Sequence, residues 1–200
     1  MGKLVAVLSL VILLMPGLAN ANLLVNPSFE TGTLASWSVD WNSVNLSVVS
    51  FNPHDGVYHA RNSWDGGMYQ DTAITGGQQY RLTGWAYIPA GAGGSPWGTF
   101  IGLRFLDSVG ATVGDYQIDM EGLTRDQYNM ADTGFVTADP TAVTARARFG
   151  TWSSSPWEPV NPTDFDHFDL TPIPEPTSLL LLGSGLVGLV GLTKKRKFNN

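Results

Sequence analysis

The sequence predicts an all-β fold, a jelly-roll β-sandwich, followed by a single C-terminal transmembrane helix. In the central part of the chain, short runs rich in Val, Phe, Tyr, Trp and Thr alternate with clusters of Gly, Pro, Asn and Asp. Apolar and polar residues alternate most clearly in Tyr80–Tyr87 and Ala142–Phe149, which gives each strand one buried and one wet face. No long stripe with a 3.6-residue period is present, so we expect few helices.

Nine strands are predicted, and their number and spacing suit two packed sheets. One short turn is expected within Met120–Met130. The predicted strands are Trp37–Val39, Val44–Phe51, Gly67–Ala73, Gln79–Tyr87, Thr99–Leu106, Thr112–Asp119, Gly134–Thr137, Ala142–Thr151 and Asp164–Leu170.

The N-terminus has the pattern of a secretory signal peptide. Lys3 precedes the apolar run Leu4–Met15, and Ala19 and Ala21 satisfy the small-x-small rule for cleavage. The alternative, an N-terminal membrane anchor, is disfavoured because the run is about 12 residues and a spanning helix needs roughly 20. We therefore predict export by the Sec machinery, removal of residues 1–21 by signal peptidase, and a mature chain that begins at Asn22.

The exported β-sandwich domain is predicted to span residues 22–171, and its charge excludes some partners. Between Asn22 and Ile173 six arginines and no lysine stand against sixteen acidic residues, a formal net charge of −10. Such a surface repels phosphate backbones, so we expect no nucleic-acid partner. The chain has no cysteine, which excludes disulfides, thiolate metal sites and cysteine nucleophiles.

The C-terminal part has three segments in a fixed order. Pro172, Pro174 and Pro176 keep the backbone extended. Residues 177–193 are uncharged and apolar, and as a helix they would measure roughly 26 Å, the low end of a bilayer core. The basic cluster that follows would stop the helix and stay cytoplasmic, with the domain facing outward. This cluster consists of Lys194, Lys195, Arg196 and Lys197. The alternative, a buried core helix, would rarely end at four consecutive cations.

The motif Pro174-Glu175-Pro176, the apolar segment and the basic end together resemble the PEP-CTERM sorting signal, here residues 172–200. The resemblance implies recognition by an exosortase, a membrane-embedded processing enzyme that depends on a cysteine. It also implies a host that makes exopolysaccharide or biofilm matrix. The tail would anchor the precursor in the inner membrane, facing the periplasm, until it is cut near the motif and the protein moves to the cell surface or extracellular matrix.

The domain also resembles the galactose-binding-like jelly roll of many carbohydrate-binding modules. The similarity lies in the order of landmarks, from Asn26-Pro27-Ser28-Phe29-Glu30 through His54-Asp55-Gly56 to Phe165-Asp166-His167. The resemblance implies a structural Ca²⁺ held by Glu30, Asp55 and Asp166, and oxygen ligands of this kind suit Ca²⁺. His167 departs from the family pattern, which usually has Asp or Asn there. The alternative reading is that these acids are solvated turn and cap residues.

Aromatic side chains are the best candidates for a ligand site. A flat ring stacks on the apolar face of a sugar, and polar neighbours can bind its hydroxyls. In strand-like contexts, Trp37 and Trp85 are expected to fill the core. Four tryptophans in loops are candidate carbohydrate-binding residues, with core packing as the alternative. They are Trp64, Trp97, Trp152 and Trp157.

No catalytic constellation is evident in the sequence. There is no Gly-x-Ser-x-Gly or His-Glu-x-x-His motif, and the spacing of Asp164, Asp166 and Asp169 cannot show whether they could act as paired glycosidase acids. We therefore predict a non-enzymatic surface or matrix protein that binds glycan or exopolysaccharide. A purely structural spacer without a small ligand is the alternative, and a glycan hydrolase or lyase is a weaker one.

Overall fold

Two antiparallel sheets face each other in the computed structural model of the chain, which describes residues 21–90, 98–120, 122–152 and 162–173. This confirms the predicted all-β sandwich. The described residues form eleven strands and one short 3₁₀ turn, Ser43–Asn45. The strands are β1 Ser38–Trp41, β2 Leu46–Val49, β3 His59–Asn62, β4 Gly66–Ala73, β5 Gln79–Tyr87, β6 Phe100–Asp107, β7 Thr112–Asp119, β8 Tyr128–Asp132, β9 Val136–Thr137, β10 Ala142–Thr151 and β11 Thr163–Pro172.

The strands divide into two sheets with interleaved connections. Sheet A has the order β1-β4-β10-β6-β7, and sheet B has the order β2-β3-β11-β5-β8, with β9 also pairing to β5. Because β10 is central in sheet A and β11 is central in sheet B, the last two strands lie in the middle of opposite layers. The two layers therefore share one core and cannot separate as independent halves.

A cluster of aromatic rings fills the core between the sheets. Phe149 of sheet A lies 4.7 Å from Phe165 and 5.1 Å from Phe168 of sheet B, measured between ring centroids. Phe29 and Trp37, from the segment before β1, close the cluster on one side, and both are buried. Burying each ring contributes on the order of 1.5–3 kcal/mol, so this cluster is a main source of the stability of the fold. The prediction that Trp37 is a core residue is confirmed.

Trp85 does not belong to this core, and that prediction is wrong. Along β5, Leu82 and Ala86 are buried in the core, and alternation turns Trp85 to the outside of sheet B. There the ring of His54 stacks on it, with centroids 4.0 Å apart and planes 20° apart. The indole is therefore covered by the β2–β3 loop and not by the opposite sheet.

The last strand extends beyond the predicted end of the domain. Pro172 pairs with Tyr80, and the amide of Ile173 donates to the carbonyl of Gln79 at 2.8 Å. Residues Asn22–Ile173 form one compact unit, so the predicted boundary at residue 171 lies inside β11.

No helix within the described residues is long and apolar enough to cross a membrane. The predicted signal peptide up to residue 20, the Pro174–Pro176 motif, the predicted helix 177–193 and the basic cluster 194–197 all lie outside the described residues.

Candidate functional site

The outer face of sheet A has a floor of glycines near the end of β10. Gly67 of β4 pairs with Gly150 of β10, which in turn pairs with Phe100 of β6. Their neighbours Met68 and Phe149 are core residues, so alternation places the two glycines on the outside of the sheet. Two adjacent strands therefore present bare backbone at this point.

Trp41, from the edge strand β1, occupies the space above this floor. A Cβ built on Gly67 would lie 2.0 Å from Cζ3 of Trp41, and one built on Gly150 would lie 2.5 Å from its Cη2. The indole therefore extends across both glycines, parallel within 10° to the ring of Phe100, with centroids 6.0 Å apart. Its Nε1–H donates to Oδ1 of Asp65 at 2.8 Å, which fixes the ring. The result is a flat, half-buried aromatic platform on the outside of the sheet.

Trp152 continues this aromatic surface beyond the end of β10. Arg148 and Gly150 point outward, and the same alternation directs Trp152 to that side. Its amide donates to the carbonyl of Gly98 at 3.4 Å, which continues the pairing of β10 with the β6 side. Its side chain is 65% exposed, the most exposed aromatic ring among the described residues. Of the four tryptophans predicted to bind sugar, Trp152 is therefore the one that the structure presents to solvent.

The middle of the same face carries arginines that are all paired with aspartates. The pairs are Arg146–Asp71 at 2.7 Å, Arg104–Asp115, and Arg148–Asp40 at 2.7 Å. The guanidinium of Arg146 lies 3.9 Å from the ring centroid of Tyr69, and its hydrogen bond to Asp71 raises its pKa. Each arginine donates two hydrogen bonds to its aspartate, and only Arg146 reaches both carboxylate oxygens. These bonds hold the side chains in fixed orientations. They form a polar, nearly neutral floor beside the platform.

Of the other predicted tryptophans, only Trp64 lies within the described residues. Trp64 is partly buried in the β3–β4 turn, and its Nε1 is buried without a hydrogen-bond partner among the described residues. Trp97 and Trp157 lie outside the described residues. Sequence reasoning therefore missed Trp41, Tyr69 and the paired arginines. The available signal was the glycines inside strands β4 and β10, because glycine in a strand often marks a close approach by another group.

The residues predicted to bind Ca²⁺ meet at the β2–β3 loop, residues 50–58. Asp55 belongs to the loop, and Glu30 and Asp166 bind its backbone. The carboxylate of Glu30 accepts hydrogen bonds from the amides of Val57 and Tyr58. Asp166 accepts from the amides of His54, Asp55 and His167 at 2.8–3.0 Å. Burial raises the pKa of Asp166 to about 6, although these three amides favour its charged form. The two carboxylates therefore hold the loop from two sides.

These acids do not enclose a common point. Oδ2 of Asp55 lies 3.2 Å from Nδ1 of His167, and no group of three or more His, Asp or Glu in the described part of the chain is arranged to hold a metal. Their charge nevertheless suits a cation, because neither Glu30 nor Asp166 has a cationic partner among the described residues. The Ca²⁺ site stays a prediction, and it requires the carboxylates to turn from the loop amides toward the ion.

We expect millimolar CaCl₂ to raise the melting temperature of the protein above its value in EGTA. A ligand at a hundred times its dissociation constant adds about 2.7 kcal/mol, which for a domain of this size corresponds to roughly 5–10 °C. Thermal unfolding followed by tryptophan fluorescence measures the shift. Asp166→Asn should abolish it, and Asp139→Asn, on a remote turn, should not. Equal melting temperatures in CaCl₂ and EGTA would refute the site.

The described fold is a two-sheet β-sandwich similar to that of carbohydrate-binding modules. Residues 21–101 match the family model of a carbohydrate binding domain, and residues 172–197 match the PEP-CTERM protein-sorting motif. Both resemblances recognised in the sequence are thus confirmed. The first match includes Trp41 and Gly67, and the second marks an exported, membrane-sorted surface protein. No curated protein matches the chain.

Solved structures share the fold. The enzymatically active domain of bacteriophage CBA120 tailspike protein 4 is 17% identical with a TM-score of 0.59, over 76% of this chain and 21% of that one. The chain thus spans about a fifth of the length of that domain. TmCBM61, solved with β-1,4-galactotriose, is 20% identical with a TM-score of 0.53, over 75% and 97% of the two chains. Family 16 Carbohydrate Binding Module-2 is 18% identical with a TM-score of 0.56, over 75% and 99%.

Proposed function

We propose that the exported domain binds a neutral glycan on the outer face of sheet A. The observation that carries the proposal is the Trp41 ring laid across Gly67 and Gly150, with the exposed Trp152 two residues beyond Gly150. An open aromatic platform with fixed polar groups next to it is the arrangement that stacks a sugar ring and orients its hydroxyls. The match to a carbohydrate binding domain supports the proposal, as does TmCBM61, which was solved with β-1,4-galactotriose.

The charge pattern favours a neutral glycan over an acidic one. The three arginines of the face are each paired with an aspartate, so none offers an unpaired charge to a uronate or sulfate. The domain as a whole has an acidic balance, which repels a polyanion. Hydrogen bonding from the fixed Arg and Asp groups would instead serve the hydroxyls of an uncharged sugar.

We propose further that the protein is not an enzyme. Two of the three acids of the last strand that could mimic a glycosidase set have structural contacts. Asp164 pairs with Arg61, and Asp166 holds the β2–β3 loop. Burial raises the pKa of Asp169, which lies on sheet B, away from the aromatic platform. A retaining or inverting pair needs two carboxyl groups facing one sugar, and these acids do not face the platform.

The match to the sorting motif supports an extracellular location for this binding activity. We propose that signal peptidase and the Sec machinery export the chain, that the predicted helix 177–193 anchors the precursor with the domain facing the periplasm, and that an exosortase processes it near Pro174–Pro176. The product would be a protein of the cell surface or extracellular matrix that binds exopolysaccharide.

Trp152→Ala should weaken glycan binding by about tenfold, because an exposed aromatic contact of this kind contributes on the order of 1–1.5 kcal/mol. The measurement is affinity electrophoresis and calorimetry of residues 22–173, with neutral polymers (β-1,4-galactan, xylan, hydroxyethyl cellulose) and acidic ones (alginate, polygalacturonate). Phe135→Ala is the matched control, because Phe135 is 52% exposed on the side of sheet B. It should bind like the unaltered protein.

Other outcomes of that panel separate the alternatives. Tighter binding to the acidic polymers would refute the neutral class. No binding to any polymer, together with concentration-dependent assembly, would favour a structural spacer. Release of reducing ends by the purified domain would show that it is an enzyme.

A further inference from the structure

The strands of the sandwich all run between two ends, which can be followed from the registers. One end, here called the platform end, contains the finish of β10 and the start of β11, together with Trp41, Gly67 and Trp152. The other, here called the exit end, contains the finish of β11 and the start of β5, where Pro172 pairs with Tyr80.

The last described residue, at the exit end, is still hydrogen-bonded into the sheet. Ile173 is still bonded to Gln79, and the next residue begins the Pro-Glu-Pro motif. The predicted mature N-terminus is tied to the same strand, because the side-chain amide of Asn22 donates to the carbonyl of Phe168 and accepts from the amide of Leu170. Ile173, the last described residue, is thus still bonded into the sheet and directly precedes the sorting motif in the sequence.

Trp152 and Ile173 lie at opposite ends of this unit. The ten-residue strand β11 begins at the platform end and finishes at the exit end. At about 3.3 Å per residue, the two ends are roughly 30 Å apart. The aromatic platform and the last described residue therefore lie at opposite ends of the domain.

We infer that the domain is built as a bridge: it is held from its exit end, by the tail in the precursor and by its C-terminal side after processing, while it binds a glycan at its platform end. The inference rests on the proposed glycan-binding function and adds to it the direction in which the site faces. Copies fixed in a surface would all present their platforms outward. A single long polysaccharide could then contact many copies and bind by avidity, which an effective concentration in the millimolar range would strengthen by about 10²–10⁴-fold.

Immobilisation in a defined orientation tests the bridge. It is possible because the chain has no cysteine of its own, so a single introduced thiol is the only attachment point. Ser108→Cys places a single thiol in the exposed β6–β7 turn at the exit end, and Val44→Cys places one at the platform end, where Val44 is 91% exposed. Each variant of residues 22–173 is biotinylated, fixed on a sensor and exposed to β-1,4-galactan, or to the neutral polymer of the panel that binds more tightly. The full chain in detergent, biotinylated in the same way, serves as a second preparation.

The exit-end variant should capture polysaccharide at full capacity, and the platform-end variant should capture at least tenfold less. In solution, with both thiols capped by iodoacetamide, the two variants should bind equally. Equal capture in both orientations, or better capture by the platform-end variant, would overturn the inference and leave the proposed function intact. Absence of binding in solution for the unaltered protein would overturn the proposed function and the bridge with it.

Discussion

Replacing Asp164 by alanine is expected to remove roughly 3–5 kcal/mol of stability, the usual cost of breaking a buried ion pair. The carboxylate of Asp164 is fully buried and receives two hydrogen bonds from Arg61, at 2.6 and 2.8 Å. Nε2 of the equally buried His59 lies 3.4 Å from the same carboxylate. Without the Asp164 carboxylate, the guanidinium of Arg61 and the imidazole of His59 would face each other across a cavity under Phe51. Since domains of this size have a total stability of about 5–15 kcal/mol, the variant should be close to unfolding.

Urea unfolding followed by tryptophan fluorescence measures this loss. The matched control is Asp115→Ala, which breaks the same kind of Arg–Asp pair at an exposed place on sheet A and should cost about 0–1 kcal/mol. Replacing both partners, Arg61→Met with Asp164→Leu, should recover most of the loss, because no unpaired charge then remains buried. If the Asp115→Ala and Asp164→Ala variants lose equal free energy of unfolding, the burial of the Arg61–Asp164 pair is not the cause of the loss.

This buried pair also shows where sequence reasoning about the fold fails. The predicted bounds of β5, β7 and β10 agree with the structure, because an alternating pattern with one wet face determines them locally. Strand β3 was not predicted, since its outward residues His59 and Arg61 read as polar loop. They are covered by Phe51 and paired with a residue about a hundred positions away. Strand β8 was missed for a similar reason, because it was expected to be part of a turn.

The candidate site was predictable in kind but not in place. Tryptophans next to loops indicated an aromatic surface, and Trp152 is exposed as expected. Trp41 could not be distinguished from the others, because its position depends on glycines 26 and 109 residues further along the chain that become neighbours only after β1, β4 and β10 pair. Trp85 was misassigned because it lies on the otherwise polar face of β5, which carries Arg81 and Thr83, and a strand-like context alone indicated burial in the core.

Trp41 gives the largest expected effect on binding. Trp41→Ala removes the platform and should weaken binding to the neutral polymer by about thirtyfold or more, since central aromatic anchors contribute about 2 kcal/mol. Trp41→Ala should lose more affinity than Trp152→Ala, because Trp41 is fixed in place by Asp65 and the glycine floor. Calorimetry with the polymer that binds best measures it, and the melting temperature checks that the fold is intact.

Gly67→Ala should produce nearly the same loss of affinity although no aromatic residue is replaced. The new Cβ would meet three atoms of the Trp41 ring, at 2.0–2.7 Å, and no backbone within that range. The ring belongs to an edge strand and can swing away, so the sheet should keep its structure while the platform is displaced. Gly150 does not allow the same test, because a Cβ there would also meet the backbone of Gly66 and Gly67. Gly122→Ala, where the added methyl has open space, is the control.

The comparison of these variants separates a binding platform from a structural packing role. If the Trp41 ring only covers the glycines, Gly67→Ala should alter the melting temperature and leave glycan binding unchanged. If the ring is the platform, binding should fall in both Trp41→Ala and Gly67→Ala while the melting temperature of Gly67→Ala changes little. The stacking surface depends on the exact place of the ring, and a single methyl group on the neighbouring strand is enough to move it.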